Sequence, residues 1–345
     1  MMGRKLISLF LAGVASVVPV VNAQGYYATN RGGYITYAYG SWGTVGGGSY
    51  NYNYAPYATL SGGHSNYIYA YSAAISGGMY NSAYGSWSYV GGGNAVKVYS
   101  SYGTAHGGSS IKNYASYGAV HGGYYNTLYG SYGFIGGGSY HRSSNSYSAI
   151  GGGHNNYVIG YAGSVAGGMY NSAYYASYAG VGGGYSNGAA GSTSGVGGGY
   201  DCWAAGAYSV VGGGTYDATY CFACTVQGGD SNIVYDSYSN IGGGDSNRIY
   251  GESGTVNGGL TNYIYADYAT VNGGRYNIVY SLYGTIAGGY SHLAYGYASV
   301  IGGGLDHDQT GASTGHTGEV HMVPVVDHAV LGHVLTHRRN GDAIA

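Results

Sequence analysis

A fifteen-residue repeat marked by a glycine pair constrains this chain more than any other feature. Residues 122–138, GGYYNTLYGSYGFIGGG, contain one whole unit and the glycine pair that opens the next. Eighteen complete units run from Gly32 to Gly302 and occupy 271 of the 345 residues. Every step is 15 residues long except a 16-residue step from Gly168 to Gly184. Because repetition at a fixed short period indicates stacked repeats, we predict one continuous stack with a bulge near Tyr175.

Each unit contains two short runs with a period of two, which is the spacing of β-strands. Counting from the glycine pair, positions 5, 7 and 9 share one side of the first run, and positions 6 and 8 share the other. Positions 12 and 14 share a side of the second run. We therefore predict an all-β fold, a parallel β-solenoid of about 18 rungs of 15 residues. Tight turns are expected near position 10 and at the glycines, and the rod would be roughly 85 Å long.

The side facing inward has a regular composition that indicates the core. Position 14 is Val, Ile or Leu in 17 of 18 units, and position 5 is Asn in 11 of 18. The asparagines would form an amide ladder between rungs, or each would bond to its own backbone in a turn. The predicted core ladder comprises Val45, Ile75, Val90, Val120, Ile135, Ile150, Asn66, Asn81 and Asn126.

Aromatic residues recur on the outward side of the unit. Position 8 is Tyr in 14 of 18 units, and position 11 is Tyr or Trp in 11 units. Because the roll is thin, we expect these aromatic rows to be partly buried against neighbouring chains, which predicts a homo-oligomer, in particular a trimer. The predicted interaction face comprises Tyr39, Tyr54, Tyr69, Tyr84, Tyr99, Tyr114, Tyr129, Trp42, Tyr57, Trp87, Tyr102, Tyr117, Tyr132, Tyr235, Tyr250, Tyr265 and Tyr280.

The repeat pattern G-G-x-x-N-x-[AIV]-x-G-x-[YW]-[GAS]-[ST]-[VI]-G resembles a known repeat. It is similar to the YadA-like head repeat of trimeric autotransporter adhesins, and units 77–91 and 273–287 carry it plainly. The resemblance covers the whole repeat region and nothing outside it. It implies a left-handed parallel β-roll, three chains around a common axis, and a role in adhesion at a surface.

The N-terminus is typical of a secretory signal peptide over residues 1–23. Arg4 and Lys5 precede an apolar run over residues 6–21, and Val21-Asn22-Ala23 gives the small-residue cleavage pattern. The run is short for a membrane anchor and contains Pro19, and no other stretch is suited to cross a membrane. We therefore predict a secreted, extracellular or cell-surface protein without a membrane span after cleavage.

The predicted repeat domain spans residues 24–304, and the composition changes in the tail over residues 305–345. Half of a nineteenth unit is expected at 303–311, and residues 324–339 are compatible with a short helix. His328, His333 and His337 would offer a weak metal site, or would be solvated without a ligand. The tail would alternatively form a cap for the stack.

Three cysteines lie in adjacent units. Cys221 and Cys224 stand at positions 9 and 12, on either side of the short turn, which makes them the candidate disulfide. The alternative is that they are small buried residues, as Gly, Ala and Ser are at these positions in other units. Three thiols without a nearby histidine do not indicate a zinc site.

Charge and composition exclude several classes of function. Charged residues make up 6% of the chain, and the formal net charge is −2, so no basic stripe for nucleic acid exists. Uniform rungs do not bring unlike catalytic groups together, so we predict no enzyme and no cofactor. Asp230, Asp236 and Asp245 would hold a calcium ion between rungs or form a solvated edge.

The repeat favours a structural or adhesive protein whose tyrosines contact cell-surface or matrix proteins, glycans, or other copies of the chain. Oxidative dityrosine cross-linking is a variant of this hypothesis. The alternative is a carbohydrate-binding solenoid. An ice-binding solenoid ranks lower because Thr occupies position 13 in only 7 of 18 units. A passive spacer is a further possibility.

Overall fold

The computed structural model describes residues 20–306, 308–309 and 315–316. These residues form a parallel β-solenoid of about 19 turns, and they contain no helix. The predicted all-β solenoid with a repeat of about 15 residues is therefore confirmed. Paired strands extend beyond both ends of the 18 predicted units, at Val21–Ala23 before Gly32 and at Asp308–Gln309 and Gly315–His316 after Gly304.

Each turn contributes one strand to each of two sheets. The first sheet takes the strands at positions 6 and 7. Its strands are Val21–Ala23, Thr36–Ala38, Tyr52–Asn53, Tyr67–Ile68, Ser82–Ala83, Lys97–Val98, Lys112–Asn113, Thr127–Leu128, Arg142–Ser143, Tyr157–Val158, Ser172–Ala173, Gly188–Ala189, Trp203–Ala204, Ala218–Thr219, Ile233–Val234, Arg248–Ile249, Tyr263–Ile264, Ile278–Val279, Leu293–Ala294 and Asp308–Gln309.

The second sheet takes the strands at positions 13 and 14. Its strands are Thr29–Asn30, Thr44–Val45, Thr59–Leu60, Ala74–Ile75, Tyr89–Val90, Thr104–Ala105, Ala119–Val120, Phe134–Ile135, Ala149–Ile150, Ser164–Val165, Gly180–Val181, Gly195–Val196, Val210–Val211, Thr225–Val226, Asn240–Ile241, Thr255–Val256, Thr270–Val271, Thr285–Ile286, Val300–Ile301 and Gly315–His316.

Every strand pairs in parallel with the strand one turn away, so equal positions lie next to each other along the rod. Thr127 pairs with Arg142, for example. A third line of isolated bridges joins the residues at position 3, from Tyr34–Ser49 to Tyr290–Leu305. The extra residue of the 16-residue step is absorbed in a turn, where Tyr175 is 82% exposed, and pairing continues in register on both sides.

The core lies between the two sheets. The aliphatic side chains at position 14 and those at position 7, such as Ile68 and Leu128, are fully buried. Val45, Ile75, Val90, Val120, Ile135 and Ile150 each have 0% exposure, as do Asn66, Asn81 and Asn126. One aliphatic row from each sheet thus fills the interior, and the asparagine row lines one end of it.

The second glycine of each pair is required by its surroundings. Its φ lies between 81° and 118° along the whole stack. A Cβ on Gly63 would lie 2.2 Å from the carbonyl oxygen of Gly78 in the next turn, whereas a Cβ on Gly62 would meet nothing within 4 Å. The first glycine therefore has room for a side chain, and at most its backbone conformation favours glycine. The second glycine is required both by its positive φ and by its close contact with the next turn.

Two further corners of every turn use left-handed backbone at residues that are not glycine. Positions 4 and 11 have φ between 50° and 61° in each turn, whether occupied by Tyr, Trp, Ser, Ala or Asp. The peptide N–H groups at these corners point towards the preceding turn, whereas those of the strands point towards the next turn. Thr127 donates to the carbonyl of His141 in the next turn, but Tyr125 and Tyr132 donate to Ser109 and Ser116 in the preceding turn. These bonds hold a conformation that is otherwise unfavourable for such residues.

The strands extend beyond the predicted repeat boundaries of 24 and 304. Val21–Ala23, which carry the predicted cleavage pattern, pair with Thr36–Ala38. Residues 1–19 of the predicted signal peptide lie outside the described residues, as do the predicted helix over 324–339 and its histidines. Within the described part of the chain, no helical segment has the length and apolarity needed to span a bilayer.

Candidate interaction surface

The outward side of the first sheet carries two continuous ladders of stacked tyrosine rings at position 8. From Tyr39 to Tyr129 the ring centroids are 4.3–5.3 Å apart, with interplanar angles of 3–11°. From Tyr220 to Tyr295 they are 4.8–5.6 Å apart, at 2–15°. This spacing equals the distance between turns, because parallel pairing places each ring directly beside the next. The predicted position-8 tyrosines thus lie together on one surface.

Position 6 adds a second row to this surface, which we call the tyrosine face. Tyr37, Tyr52 and Tyr67 stack on one another at 5.1–5.2 Å. Tyr37 is also parallel to Tyr39, with centroids 5.3 Å apart and an angle of 4°. Sequence reasoning missed this second row. The available signal was that positions 6 and 8 share a side of the strand.

Stacking leaves ring edges, not ring faces, for contact with other molecules. The rings of a ladder are nearly parallel at the separation of the turns, so each covers the faces of its neighbours. Tyr54 and Tyr69 are still 43% and 48% exposed, and because their ring faces stack on the neighbouring rings we infer that the edges and hydroxyl groups carry this exposure. The tyrosine face is therefore a grid of phenol edges, which favours hydrogen bonding together with contact of ring C–H groups.

The hydroxyls of Tyr54, Tyr69 and Tyr99 stay protonated at neutral pH. Burial is the main cause that raises the pKa of Tyr54 and Tyr69, and neighbouring tyrosines add to it. Burial, followed by the hydrogen bond with Tyr114 and its charge, raises the pKa of Tyr99 to about 12. Each phenol is thus both a donor and an acceptor at physiological pH.

The predicted position-11 residues form a separate ladder at a corner of the roll. Tyr102, Tyr117 and Tyr132 stack at 4.7 and 5.1 Å with angles of 2–4°. Trp42 stacks on Tyr57 with a longer centroid separation of 6.3 Å. Since these residues occupy left-handed corners, their side chains are about half exposed. The structure therefore distributes the predicted interaction face over two ladders.

A third aromatic row, at positions 3 and 4, was not predicted. Its rings alternate in edge-to-face pairs, such as Tyr50–His64 at 5.5 Å and His64–Tyr80 at 5.7 Å. Edge-to-face packing suits rings on two adjacent positions, because the electropositive edge of one ring meets the face of another.

The asparagine row in the interior combines both sequence interpretations. Asn81 Nδ2 donates to the carbonyl of Gly77 in its own turn at 2.8 Å and of Gly93 in the next at 3.1 Å. Its Oδ1 accepts the backbone N–H of Val96 at 2.9 Å. Each such asparagine ties the glycine turn to the following rung, which gives the stack a hydrogen-bonded seam.

Histidine replaces asparagine at position 5 in two turns, at His141 and His292. His141 Nδ1 accepts the backbone N–H of Asn156 at 3.1 Å, as the asparagine oxygen does elsewhere. Its Nε2 lies on the side of the Gly138 backbone, where asparagine places its amide nitrogen. Burial lowers the pKa of His141, so the ring is neutral and offers one acceptor and one donor.

Asp217 occupies position 5 in the same row. It supplies the hydrogen-bond acceptor that asparagine supplies there, but not the donor. Its Oδ1 accepts from the N–H and the Nδ2 of Asn232 at 2.8 and 3.1 Å, but the buried Oδ2 has no hydrogen-bond partner. Burial raises the pKa of Asp217 to about 6, against the opposing hydrogen bonds from Asn232. A carboxylate oxygen stands where a donor is needed.

Two of the three cysteines lie at the turn between the two sheets. Cys221 and Cys224 are joined by a disulfide with Cα atoms 5.8 Å apart. Cys202 is a free, buried thiol at position 5. The aspartates considered for calcium each have a local partner. Ser231 and Ser246 donate to Asp230 and Asp245, and the Ser237 amide donates to Asp236. Among the residues described, no three metal-ligating side chains come together.

Charge is segregated along the rod. The first acidic residue of the sequence is Asp201, so the turns before it carry basic residues alone. Lys97, Lys112 and Arg142 stand at position 6 on the tyrosine face, and Arg142 lies over the ring of Tyr129 at 5.3 Å. The later turns carry an excess of aspartate and glutamate.

The fold and this surface define a class of molecule, a rigid β-solenoid rod with aromatic ladders on its outside. A scan against protein-family models and a search among curated proteins found no match.

Proposed function

We propose that this chain is a secreted or cell-surface structural and adhesive rod that presents its tyrosine ladders to partners. The observation that supports the proposal most is the tyrosine face, because a rigid stack holds the rings in fixed positions before contact. Stiff aromatic side chains lose little conformational entropy when they bind, and their hydroxyls tolerate a wet interface. The partners would be cell-surface or matrix proteins or glycans.

Secretion is supported by two features. The predicted signal peptide over residues 1–23 directs export. The Cys221–Cys224 disulfide also suits an oxidising compartment.

The proposed assembly is a left-handed, trimeric roll, as the resemblance to YadA-like head repeats implies. The outward row of the second sheet supports close approach of chains, because position 13 holds short side chains such as Thr44, Ala149 and Gly195 in most units, with Tyr89 and Phe134 as exceptions. Light scattering of the secreted protein should give three times the chain mass. A monomeric mass would contradict the trimer and leave the solenoid untouched.

Carbohydrate binding is the alternative function, and the spacing of the phenol hydroxyls favours it. Rows of donors and acceptors about 5 Å apart are suited to the hydroxyls of an extended glycan. Because the ring faces are covered, the contact would run along ring edges. A glycan array with the purified rod distinguishes this function from binding to matrix proteins.

The test compares two triple variants for binding to immobilised extracellular-matrix proteins and to a glycan array. Tyr54→Ser/Tyr69→Ser/Tyr84→Ser interrupts the tyrosine face and should weaken binding at least tenfold. The matched control removes the same number of tyrosines from the edge-to-face row, in Tyr140→Ser/Tyr170→Ser/Tyr185→Ser. Equal loss in both variants, or no binding by the wild-type rod, would overturn the proposal.

A further inference from the structure

The two position-8 ladders are placed symmetrically about the middle of the rod. If the unit opened by Gly32 is turn 1, the first ladder, from Tyr39 to Tyr129, spans turns 1–7. The second, from Tyr220 to Tyr295, spans turns 13–18. The interruption between them contains Ser144 and Ala190. A two-fold rotation about the boundary of turns 9 and 10 therefore brings turns 1–6 of one copy onto turns 13–18 of another.

The same rotation brings opposite charges together. Lys97 and Lys112 lie on the tyrosine face in turns 5 and 6, which the rotation sets against turns 14 and 13. Asp230 and Asp236 flank the tyrosine face in turn 14, and Asp245 follows in turn 15, where Arg248 stands at position 6 on the face and lowers the net negative charge. A parallel pairing would instead set lysines beside lysines and aspartates beside aspartates. Like-charge juxtaposition disfavours that arrangement, so charge selects the antiparallel one.

The surface is large enough for a specific contact. The twelve ladder turns that meet under this rotation, at about 4.8 Å each and about 10 Å wide, give on the order of 600 Å² per copy, which is at the lower end for a specific contact. Across the two-fold axis, exposed phenol groups of one copy face exposed phenol groups of the other, and each can donate and accept a hydrogen bond. A two-fold interface requires this kind of self-complementary surface.

We infer that the tyrosine face pairs with the tyrosine face of a second copy in antiparallel orientation, with the basic half of each rod against the acidic half of the other. The inference rests on the proposed adhesive role of this face. It adds a partner, the chain itself, and an orientation. The contact joins one rod to another, whether each rod is a single chain or a trimer.

Charge reversal at one end tests the orientation. Lys97→Glu/Lys112→Glu and, separately, Asp230→Lys/Asp245→Lys would each change attraction into repulsion only in the antiparallel arrangement. We expect each double variant to weaken rod-to-rod association at least tenfold in analytical ultracentrifugation at 50 mM salt. In a parallel arrangement each reversal keeps like beside like, so unchanged association would overturn the inference.

The combined variant with all four substitutions provides the control for folding and surface damage. It restores opposite charges in the antiparallel pair, so association should return to within about threefold of wild type. At 1 M salt the differences among all variants should disappear, because the Debye length falls to about 3 Å. Failure of the combined variant to recover, with its β-signal in circular dichroism intact, would also overturn the inference.

Energy transfer reports the geometry directly. A fluorescent donor attached at position 41 in one preparation and a fluorescent acceptor attached at position 297 in another label turns 1 and 18. The antiparallel pair brings these two turns together. Salt-sensitive transfer supports the pairing, and association without transfer overturns it. If wild-type rods bind matrix proteins or glycans but do not pair, only this inference fails. If they pair but bind neither, only the proposed function fails.

Discussion

At the scale of single residues, position 5 requires an acceptor for the next turn and a donor for the glycine carbonyls. Asn81 supplies both, whereas His141 supplies the acceptor through Nδ1, and its buried Nε2 has no hydrogen-bond partner. Asp217 supplies only the acceptor while it is ionised. The recurrence of asparagine was readable from the sequence. Its bonds were not, because the partners are backbone groups of two different turns.

Removing one asparagine of this seam should destabilise the rod markedly. Asn81→Ala deletes three hydrogen bonds and leaves buried backbone groups unpaired, which should cost about 3 kcal/mol of unfolding free energy. Chemical denaturation followed by circular dichroism measures the loss. The matched control is the exposed Asn257→Ala, which should change stability by less than about 0.5 kcal/mol. Similar losses in both variants would contradict the assigned role of the seam.

Asp217 should make the stability of the rod depend on pH. Its pKa in the fold is about 6, above the usual 3.8, so the fold favours the protonated form. The stabilising contribution is complete below pH 3.8 and is lost as the pH rises through about 6. Above that pH the loss should approach about 3 kcal/mol.

Asp217→Asn should recover this stability. At pH 7.5 the variant should be more stable than wild type by about 3 kcal/mol, and at pH 3.5 the two should be nearly equal, as measured by urea denaturation at each pH. The exposed Asp230→Asn serves as control and should show a small difference at both pH values. A constant difference between Asp217→Asn and wild type across this range would refute the assignment.

The left-handed corners should invert the usual effect of glycine. Ala162 has a φ of 50°, so Ala162→Gly relieves an unfavourable backbone and should be neutral or stabilising by up to about 1 kcal/mol. Ala119 lies in the strand Ala119–Val120, where Ala119→Gly should cost roughly 0.5–1 kcal/mol. Thermal unfolding of both variants checks the opposite signs. Destabilisation of equal size in both would argue against the corner geometry.

At the scale of elements, the turn between the sheets has two local features, the insertion at Tyr175 and the disulfide. Cys221 and Cys224 close a loop of only four residues, so the gain from restricting the unfolded chain is small. Cys221→Ser/Cys224→Ser should lower the unfolding free energy by roughly 2 kcal/mol. Adding a reductant should bring the wild type to the level of this variant. The Cys202→Ala variant should lose stability on reduction as the wild type does. An unchanged unfolding free energy in Cys221→Ser/Cys224→Ser would disprove the stabilising role of the disulfide.

The ladders show how far sequence reasoning reaches for an element. Stacking of equal positions followed directly from the repeat, so Tyr54 over Tyr69 was predictable. The joint grid with position 6 was not, because that position varies among Tyr, Lys, Ser and Gly along the chain. The corners were missed because left-handed backbone is expected at glycine, yet Trp42 and Tyr57 adopt it. Hydrogen bonds to the preceding turn stabilise it there, and no local pattern encodes them.

At the scale of the whole molecule, the solenoid was predictable because one unit repeats with little error. Pairing of each strand with equivalents on both sides fixes the register for the entire rod. The number of chains and the hand of the coil depend on contacts and twist that a repeat period does not specify. The change from basic to acidic residues at Asp201 was visible in the sequence. Its relation to the two ladders could be seen only once the structure had placed both along the rod.

Deleting one whole unit should leave a folded, shorter rod. Loss of residues 258–272 joins equivalent positions, so the β-signal per residue should be unchanged and small-angle scattering should give a maximum dimension about 5 Å shorter. Deleting only 258–264 removes one strand of a turn and should destabilise the stack severely. Unfolding after the whole-unit deletion would contradict the independence of the turns.

This tolerance has a consequence for how such a molecule changes over generations. Each turn touches only its two neighbours, and even the single-residue insertion at Tyr175 leaves the surrounding pairing intact. Unequal recombination between neighbouring copies of the coding sequence would therefore add or remove rungs without disturbing the rest. The length of the rod thus becomes a heritable quantity that selection can adjust in small, nearly equal steps.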